Sequence, residues 1–539
     1  MLGWLDHLIL VPVLLPLLAG AVLIPINETH HRLKFAINAM SVLGLLVTAL
    51  VLVQLTDGGH WSEDIGVYLA ANWLAPFGIV LLVDRLAAMM LLLAAVIATA
   101  TLLYSMVRWS RIGVHFHSLF QFLLMGVNGA FLTHDLFNLF VFFEVMLAAS
   151  YGLLLHGYNV NRIRAGLQYI AVNLVASLVF LIGVALIYAA TGTLNMSDLA
   201  ARVATLGAED LALLKIGMAV LVIAFLVKGA MWPLGFWLPT AYASASPPVA
   251  AMLVLMTKVG VYVIMRVWLL VFSDGGGEAT GFGREFLLWG GLATVAFGAV
   301  GMLASQEQGR LAGYAAIVSS GTLLAVVGYG QASLITAGLF YLLSSTLAVA
   351  AFMLLIELVD RVRSPAAAML AVTMEAFEFE ENPAQPVGKG IPAALAFLGL
   401  SFAASTLIIA GLPPLSGFVA KFGLFHALLH PQAGGAVAAP AWTFMALVLV
   451  SGLIAIIAMM RFGVRTFWAS GAVAPPRLQF MEAAPVTLLL FLCVALTVQA
   501  GPIFGFLERT SADLHQRAQY VDRVLSSPAV SAGAGEAER

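Results

Sequence analysis

The sequence predicts an all-α polytopic membrane protein with about fourteen transmembrane helices. Composition is the first reason. Of 539 residues, 62% are hydrophobic and 10% are charged, and the mean hydropathy is +1.01. Soluble domains carry about 25% charged residues, and no water-soluble core hides this much apolar surface. The second reason is the recurrence of apolar runs. A crossing needs roughly 20 mainly apolar residues, and such runs centre near residues 17, 45, 94, 122, 145, 178, 221, 260, 294, 320, 345, 405, 452 and 494. The third is charge alternation in the loops. One set holds Arg32, Lys34, Arg108, Arg111, Arg162, Arg164, Arg310, Arg361, Arg363, Lys389, Arg461, Arg465 and Arg477. The opposite set has few basic residues (Arg202, Lys215, Arg284) among acids such as Asp57, Glu63, Asp64, Glu209, Asp210, Asp274 and Glu278. The positive-inside rule makes the first set cytoplasmic, so both termini face out.

Along the chain, "MLGWLDHLILVPVLLPLLAG" lacks a basic leader region and reads as a retained first helix. Residues 363–390, with "EAFEFEENPAQPVGKG", form an acidic loop on the cytoplasmic side. Residues 508–539 are polar and read as a short amphipathic piece followed by disorder. Net charge is −2 and points to no class of partner, nucleic acid included. The single cysteine, Cys493, excludes an internal disulfide and argues against a thiolate metal site.

Four charges lie where an apolar helix should exclude them. A Lys or Glu at a helix centre costs roughly 2.5–3.5 kcal/mol on insertion scales and normally faces the bundle interior or a cavity. Glu144 follows a phenylalanine-rich turn in "DLFNLFVFFEVMLAASYGLLL". Lys228 ends the run "LVIAFLVKGAMWP", with Pro233 and Pro239 behind it. Proline removes a backbone donor and breaks a helix, and broken helices at membrane depth line cavities and ion sites. Trp232, one turn on, is placed to stack on the ammonium. Lys258 sits about ten residues into its helix, a depth of roughly 15 Å, with Thr257 and Tyr262 placed to hold water. Arg266, two turns further, reads as an interfacial anchor. Lys421 follows Pro413 and Pro414 in "GLPPLSGFVAKFGLF", an echo of the 228 region. For each the competing structural reading is a plain ion pair or a lysine snorkelling to the interface. A Glu–Lys pair favours both charged forms, whereas burial alone disfavours them, so pairing and parting would load and release a proton.

These residues sit in recognisable stretches: "VDRLAAMML", "DLFNLFVFFE", "VKGAMWPLGFWLPTAYASASPPVAAML" and "GLPPLSGFVAKF". The chain resembles the antiporter-like subunits shared by respiratory complex I, membrane-bound hydrogenases and the multisubunit Mrp/Pha cation/proton antiporters, over about residues 10–505. Within that superfamily it most resembles the D-type branch (MrpD/PhaD) of the Mrp/Pha antiporters. The resemblance implies two inverted five-helix repeats, spans 4–8 and 9–13, with broken helices 7 and 12. The division is then 1–112 (helices 1–3), 113–275 (first repeat), 276–470 (second repeat, with loop 363–390), 471–507 (helix 14) and 508–539 (tail). It implies a proton-translocating subunit of a Na⁺ or K⁺/H⁺ antiporter in the bacterial cell membrane, with other antiporter subunits, membrane lipid and the ions H⁺ and Na⁺ or K⁺ as its partners. No cofactor is expected. By position Glu144 and Lys228 match the family's ion pair, Lys258 its central relay, and Lys421 the terminal residue of the second half-channel. Relatives often carry histidines on spans 10 and 11. Here Ser319 and Ser345 stand at the aligned positions. A hydrated hydroxyl chain through Ser319, Ser320, Thr322, Ser344, Ser345 and Thr346 is one replacement, and helix packing through small residues is the other reading.

An alternative function is proton pumping in a redox-driven complex, an NADH:quinone oxidoreductase or hydrogenase; a non-transporting scaffold is a third. No catalytic or metal constellation is expected, since G-x-S-x-G, H-E-x-x-H and Walker A patterns do not occur. His30, His31, His115 and His117 read as solvated or interfacial, and His134–Asp135, on an outer loop, as a helix cap or, alternatively, a proton exit.

Overall fold

The computed structural model describes residues 5–157, 159–361, 392–430, 437–467 and 478–528. The predicted loop 363–390, with Arg363 and Lys389, lies outside the described residues, as do Arg477 and the last eleven residues of the tail. In chain order the helices are α1 (Val11–Leu23), α2 (His31–Asp57), α3 (Arg85–Ser105), α4 (Phe116–Leu132), α5 (Leu136–Leu155), α6 (Val160–Thr191), α7 (Met196–Val203), α8 (Ala208–Lys228), α9 (Leu238–Ser244) and α10 (Pro247–Val271). They continue with α11 (Arg284–Ala304), α12 (Gln308–Tyr329), α13 (Ala332–Asp360), α14 (Ala393–Ala410), α15 (Ser416–Leu429), α16 (Ala439–Phe467), α17 (Phe480–Val498), α18 (Ala500–His515) and α19 (Arg517–Leu525). Among the described residues, 12 helices are long and apolar enough to cross a membrane, and α1, α4 and α15 are shorter apolar helices. All fourteen predicted centres fall on helices. A two-stranded antiparallel hairpin, β1 (Gly66–Leu69) with β2 (Val80–Val83), is an addition to the all-helical expectation.

Polar side chains and glycines punctuate the helices. Asp84, Asp135 and Asn195 cap α3, α5 and α7 by accepting from backbone N–H groups of the first turn. Gly192, Gly330 and Gly411 close α6, α12 and α14 in the left-handed conformation. Prolines open α9 and α10, where the missing N–H costs nothing.

The radial arrangement follows from helix composition. Helix α10 is apolar apart from Thr257 and the row Lys258, Tyr262 and Arg266 and is buried from Pro248 to Val271, as a helix with so little polar surface must be. It packs on α3, α8, α12 and α13. Peripheral helices instead show large apolar side chains outward, among them Leu43 and Val47 on α2 and Leu174, Leu178 and Ile182 on α6. That apolar outer surface suits a lipid-facing wall.

Ion clusters pin both ends of α3. At one end Arg85 reaches Asp57 (2.9 Å), Asp64 (2.6 Å) and Asp513 (2.6 Å). Beside it Arg266 forks onto Asp84 at 2.5 and 2.7 Å. The expectation of an interfacial Arg266 is therefore corrected: Asp84 supplies a buried counter-ion that draws the guanidinium inward. At the other end Tyr104 and Trp109 Nε1 donate to Glu357 (3.0 and 2.8 Å), and Arg361 bridges Glu357 and Glu482. The amphipathic piece of the tail is two helices docked on the bundle, with Tyr520 buried. His117 is also buried and pairs with Asn38 of α2 at 2.8 Å, contrary to the solvated reading. An amide on the facing helix gave it a partner that local sequence does not reveal.

Arg361→Ala strands the Glu482 carboxylate, which is only 3% exposed, and is expected to destabilise by about 3 kcal/mol. Arg108→Ala removes an exposed, 3.5 Å contact to Glu357 and should cost less than about 1 kcal/mol. Thermal unfolding of the detergent-solubilised protein compares the two; equal losses would contradict the clamp.

Candidate functional site

Both predicted helix breaks exist. Helix α8 stops at Lys228, and Gly229–Trp237 form a non-helical turn containing Pro233 before α9 begins, with Pro239 in its first turn. The turn satisfies the freed backbone groups locally. Met231 N donates to Leu226 O (2.9 Å) and Trp232 N to Thr294 Oγ1 (2.9 Å). Trp237 Nε1 donates to Val227 O (3.2 Å). Helix α14 stops at Ala410, and Pro413 and Pro414 lie in the turn before α15. In each case a lysine lies against a helix C-terminus, where the carbonyl ends favour a cation. Lys228 lies in the last turn of its own helix. Lys421, on the helix after its break, donates back to Ala410 O at 2.7 Å. The two breaks thus reach one chemistry from opposite sides of the gap.

Lys228 is buried and donates to Asn173 Oδ1 of α6 at 2.6 Å. It makes no ion pair within 4.0 Å of Glu144, whose Oε1 is buried without a hydrogen-bond partner. The expected pair is therefore open in this conformation, with the amide holding the ammonium. Trp232 does not stack on Lys228; the residue is 46% exposed, because its backbone is tied to α11 instead. Close approach of α8 to α10 requires Gly260: a Cβ there would lie 3.2 Å from Lys228 Cβ and 3.0 Å from Phe225 O. Around this group Ser150 and Tyr169 share a hydrogen bond of 2.8 Å, and Tyr169 packs on Trp237. A cavity of ≈ 580 Å³ lies at the Glu357 end of the bundle, with Arg162, Gln168, Thr240, Ser244, Glu307 and Glu357 in its wall; Gln168 directly precedes Tyr169 in the chain.

Lys258, fully buried at 0% exposure, donates to Ser319 Oγ at 2.7 Å and reaches Ser320 Oγ at 3.4 Å. Ser319 is bonded in turn to Ser345 at 2.8 Å. Beyond them is a small cavity of ≈ 20 Å³ open to water-sized centres, lined by Ser319, Tyr341, Ser344, Ser345, Ser451 and Lys421. That is space for about one water. Lys421 completes the row. Gly411 and Gly452 make its slot: a Cβ at Gly411 (φ +80°) would lie 2.8 Å from Lys421 Cε, and one at Gly452 2.9 Å from Nζ. A second, apolar cavity of ≈ 240 Å³ separates Lys421 from the outer flank of α15 and α16.

The six hydroxyls predicted as a link divide in two. Ser319, Ser320 and Ser345 gather at Lys258, and Ser344 bonds Ser416 at 2.8 Å beside Lys421's cavity. Thr322 and Thr346 donate to carbonyls of their own helices, Val318 O (2.9 Å) and Leu342 O (2.5 Å). Thr257 and Tyr262 likewise donate their hydroxyl protons to Val254 O and Phe131 O. The reading of the sequence missed Asn173, Tyr341, Asp84 and Tyr520. Asp84 was visible in "VDRLAAMML" as an acid opening an apolar helix; nothing local marks the other three.

A helical membrane bundle with two interrupted helices, three buried lysines and a half-buried glutamate is the architecture of an ion-translocating subunit. The sequence profile of the NADH:quinone oxidoreductase/Mrp antiporter transmembrane family matches residues 133–455, more than half of the chain, and the chain belongs to that family. It is 54% identical over 534 residues to a probable K⁺/H⁺ antiporter D-type subunit of Rhizobium meliloti, covering 98% of this chain and 99% of that one. It is 32% identical over 527 residues to a Na⁺/H⁺ antiporter D-type subunit of Alkalihalophilus pseudofirmus, covering 96% and 99%. Its structure is similar to a chain of the Mrp complex from Dietzia sp. DQ12-45-1b, with a TM-score of 0.82, 26% identity and coverage of 97% and 100%. It also shares its fold with a chain of respiratory complex I from Thermus thermophilus, with a TM-score of 0.71, 22% identity and coverage of 97% and 100%.

Ser319→Ala removes the shared partner of Lys258 and Ser345 and is expected to slow ion transport several-fold in vesicles. Thr346→Val, which deletes a hydroxyl bonded only within its helix, should stay within two-fold of wild type. The reverse ranking would assign the serines to packing.

Proposed function

We propose that this chain is the proton-translocating subunit of a multisubunit monovalent cation/proton antiporter, carrying H⁺ along Glu144, Lys228, Lys258 and Lys421 in exchange for outward Na⁺ or K⁺. The observation that carries this reading is the run from Lys258 through Ser319 and Ser345 to the water-sized cavity at Lys421. Two ammonium groups thereby share one track of hydroxyls and a water-sized space inside the bundle. The D-type antiporter names of the similar proteins support an antiporter rather than a redox-driven pump, and imply other subunits as partners. Residence in the plasma membrane with both termini outside follows from the distribution of Lys and Arg among the loops. Fourteen crossings follow if α1 and α4 cross despite their length and if α8–α9 and α14–α15 each make one broken span. The two breaks then fall five spans apart, which fits repeats over spans 4–8 and 9–13.

In the mechanism, water in the ≈ 580 Å³ cavity brings protons toward the Tyr169–Asn173 region. Lys228 leaves Asn173 to pair with Glu144 when both are charged, and returns when Glu144 is protonated. The change in field shifts proton occupancy at Lys258, which exchanges with Lys421 through the serines.

Glu144→Ala is expected to abolish cation/proton antiport in everted vesicles while the protein still accumulates in the membrane. Lys421→Ala should impair it strongly and Lys421→Glu should retain part of it, because a titratable group remains. Full activity in Glu144→Ala would remove that residue from the mechanism, and silence of both changes at 421 would end the second half-channel.

A further inference from the structure

The outward end of the Lys258 helix is closed by a group of side chains that the transport axis does not use. Lys258, Tyr262 and Arg266 lie on one face of α10 at successive turns, so the guanidinium stands roughly 12 Å beyond the ammonium. Arg266 is held by both oxygens of Asp84 and donates to Tyr262 Oη at 3.0 Å. Its Cζ lies over two aromatic rings, 5.4 Å from the centroid of Tyr262 and 5.7 Å from that of Tyr520. Tyr520 comes from α19, more than 250 residues later in the chain, and donates to Asp84 at 2.6 Å. Ser197 holds the Tyr520 carbonyl at 3.1 Å and pairs with His134 at 2.8 Å. Asp84, Arg266, Tyr520, Tyr262 and His134 are all buried.

Three features make this a barrier rather than a wire. Both tyrosine hydroxyl protons are committed, to Phe131 O and to Asp84, so neither is free to relay. A guanidinium keeps its charge at every ordinary pH and has no acceptor, so it cannot take up a proton and pass it on. The flanking titratable groups are also fixed. Burial, which alone would raise the Asp84 pKa, is outweighed by the charge and hydrogen bonds of Arg266, leaving it lowered. Burial, with Arg266 beside it, pushes the His134 imidazole down to about 3, so it stays neutral.

We propose that Asp84, Arg266 and Tyr520 form an outer seal over Lys258, with the C-terminal helix α19 as its latch, which denies protons a direct path outward and sends them sideways to Lys421. The seal rests on the reading of Lys258 as a proton carrier. Its role is to position and exclude; none of its members exchanges a proton with the axis.

The test is passive proton leak. Everted vesicles bearing the full-length chain with its partner subunits are loaded with a pH gradient, without exchangeable Na⁺ or K⁺, and the decay is followed by a pH-sensitive dye. Tyr520→Phe, which keeps the ring and deletes the hydroxyl, is expected to speed the decay three-fold or more, and a chain ending at Gln516 at least as much. Adding Lys258→Ala to Tyr520→Phe should restore the wild-type decay. Wild-type tightness in Tyr520→Phe overturns the seal whether or not the shortened chain folds, and so does a leak that persists without Lys258. Antiport by Lys258→Ala alone judges the axis separately: normal exchange there strikes the axis, while a tight Tyr520→Phe vesicle strikes only the seal.

Discussion

An ammonium group inside a bilayer must receive from the protein every hydrogen bond that water would have given it. Much of this structure answers that demand. An isolated charge at this depth is expensive, and each of the three lysines has a different answer. Lys228 takes an amide oxygen, Lys258 takes serine hydroxyls, and Lys421 takes a main-chain carbonyl freed by a helix break. None of the three is locked in an ion pair. A neutral acceptor serves the ammonium and the free amine alike, because the amine can still donate one N–H. A carboxylate would bind the charged form too tightly for the proton to leave. Interrupting the helices frees main-chain carbonyls inside the bundle to accept from an ammonium, as Ala410 O does from Lys421.

The same demand explains why full ion pairs stand at the ends of the bundle and not along its middle. Arg85, Arg266 and Arg361 are matched with carboxylates at the two ends of α3. Broken pairs there would strand buried charge, so these clusters hold α3, α10, α13 and the C-terminal helices in fixed register. Between them α10 carries Lys258 on the same face as Tyr262 and Arg266. A rigid frame with soft acceptors inside it lets proton occupancy change without moving the helices far.

The expected class, the helix centres, both breaks and all four intramembrane charges were legible in the sequence, because each rests on local chemistry. Apolar runs long enough to cross, prolines behind them and lysines within them need no tertiary knowledge. Partners were not legible. Asn173 and Tyr520 look ordinary in their own helices, and only the fold brings them to Lys228 and Asp84 across 55 and 436 residues of chain. Arg266 was misplaced for the same reason: two turns past a buried lysine it resembles an anchor until Asp84 is found opposite. The hydroxyl chain was half legible. Composition marked six candidates, but whether a hydroxyl faces a neighbouring helix or turns back on its own carbonyl depends on helix rotation, which periodicity does not fix in a segment that is apolar all round.

On the proposed axis, serines at 319 and 345, where the resemblance implied histidine, would change how the two lysines work together. An imidazole can take up a proton and hold it as a stable cation, so a histidine between two lysines divides the transfer into two separate steps. A hydroxyl has a donor and acceptors but no stable protonated form near neutral pH. On the proposed path from Lys258 through Ser319 and Ser345 to the water-sized space at Lys421, a proton would have no resting place, and a concerted shift would deliver the charge from one ammonium to the other amine. Such a shift needs one lysine charged and the other neutral at the start. Two like charges joined by so short a track also repel, so loading one favours emptying the other. On that proposal, coupling between the half-channels would come from the track's lack of an intermediate site, and the serines would contribute to it by being unable to hold what they pass.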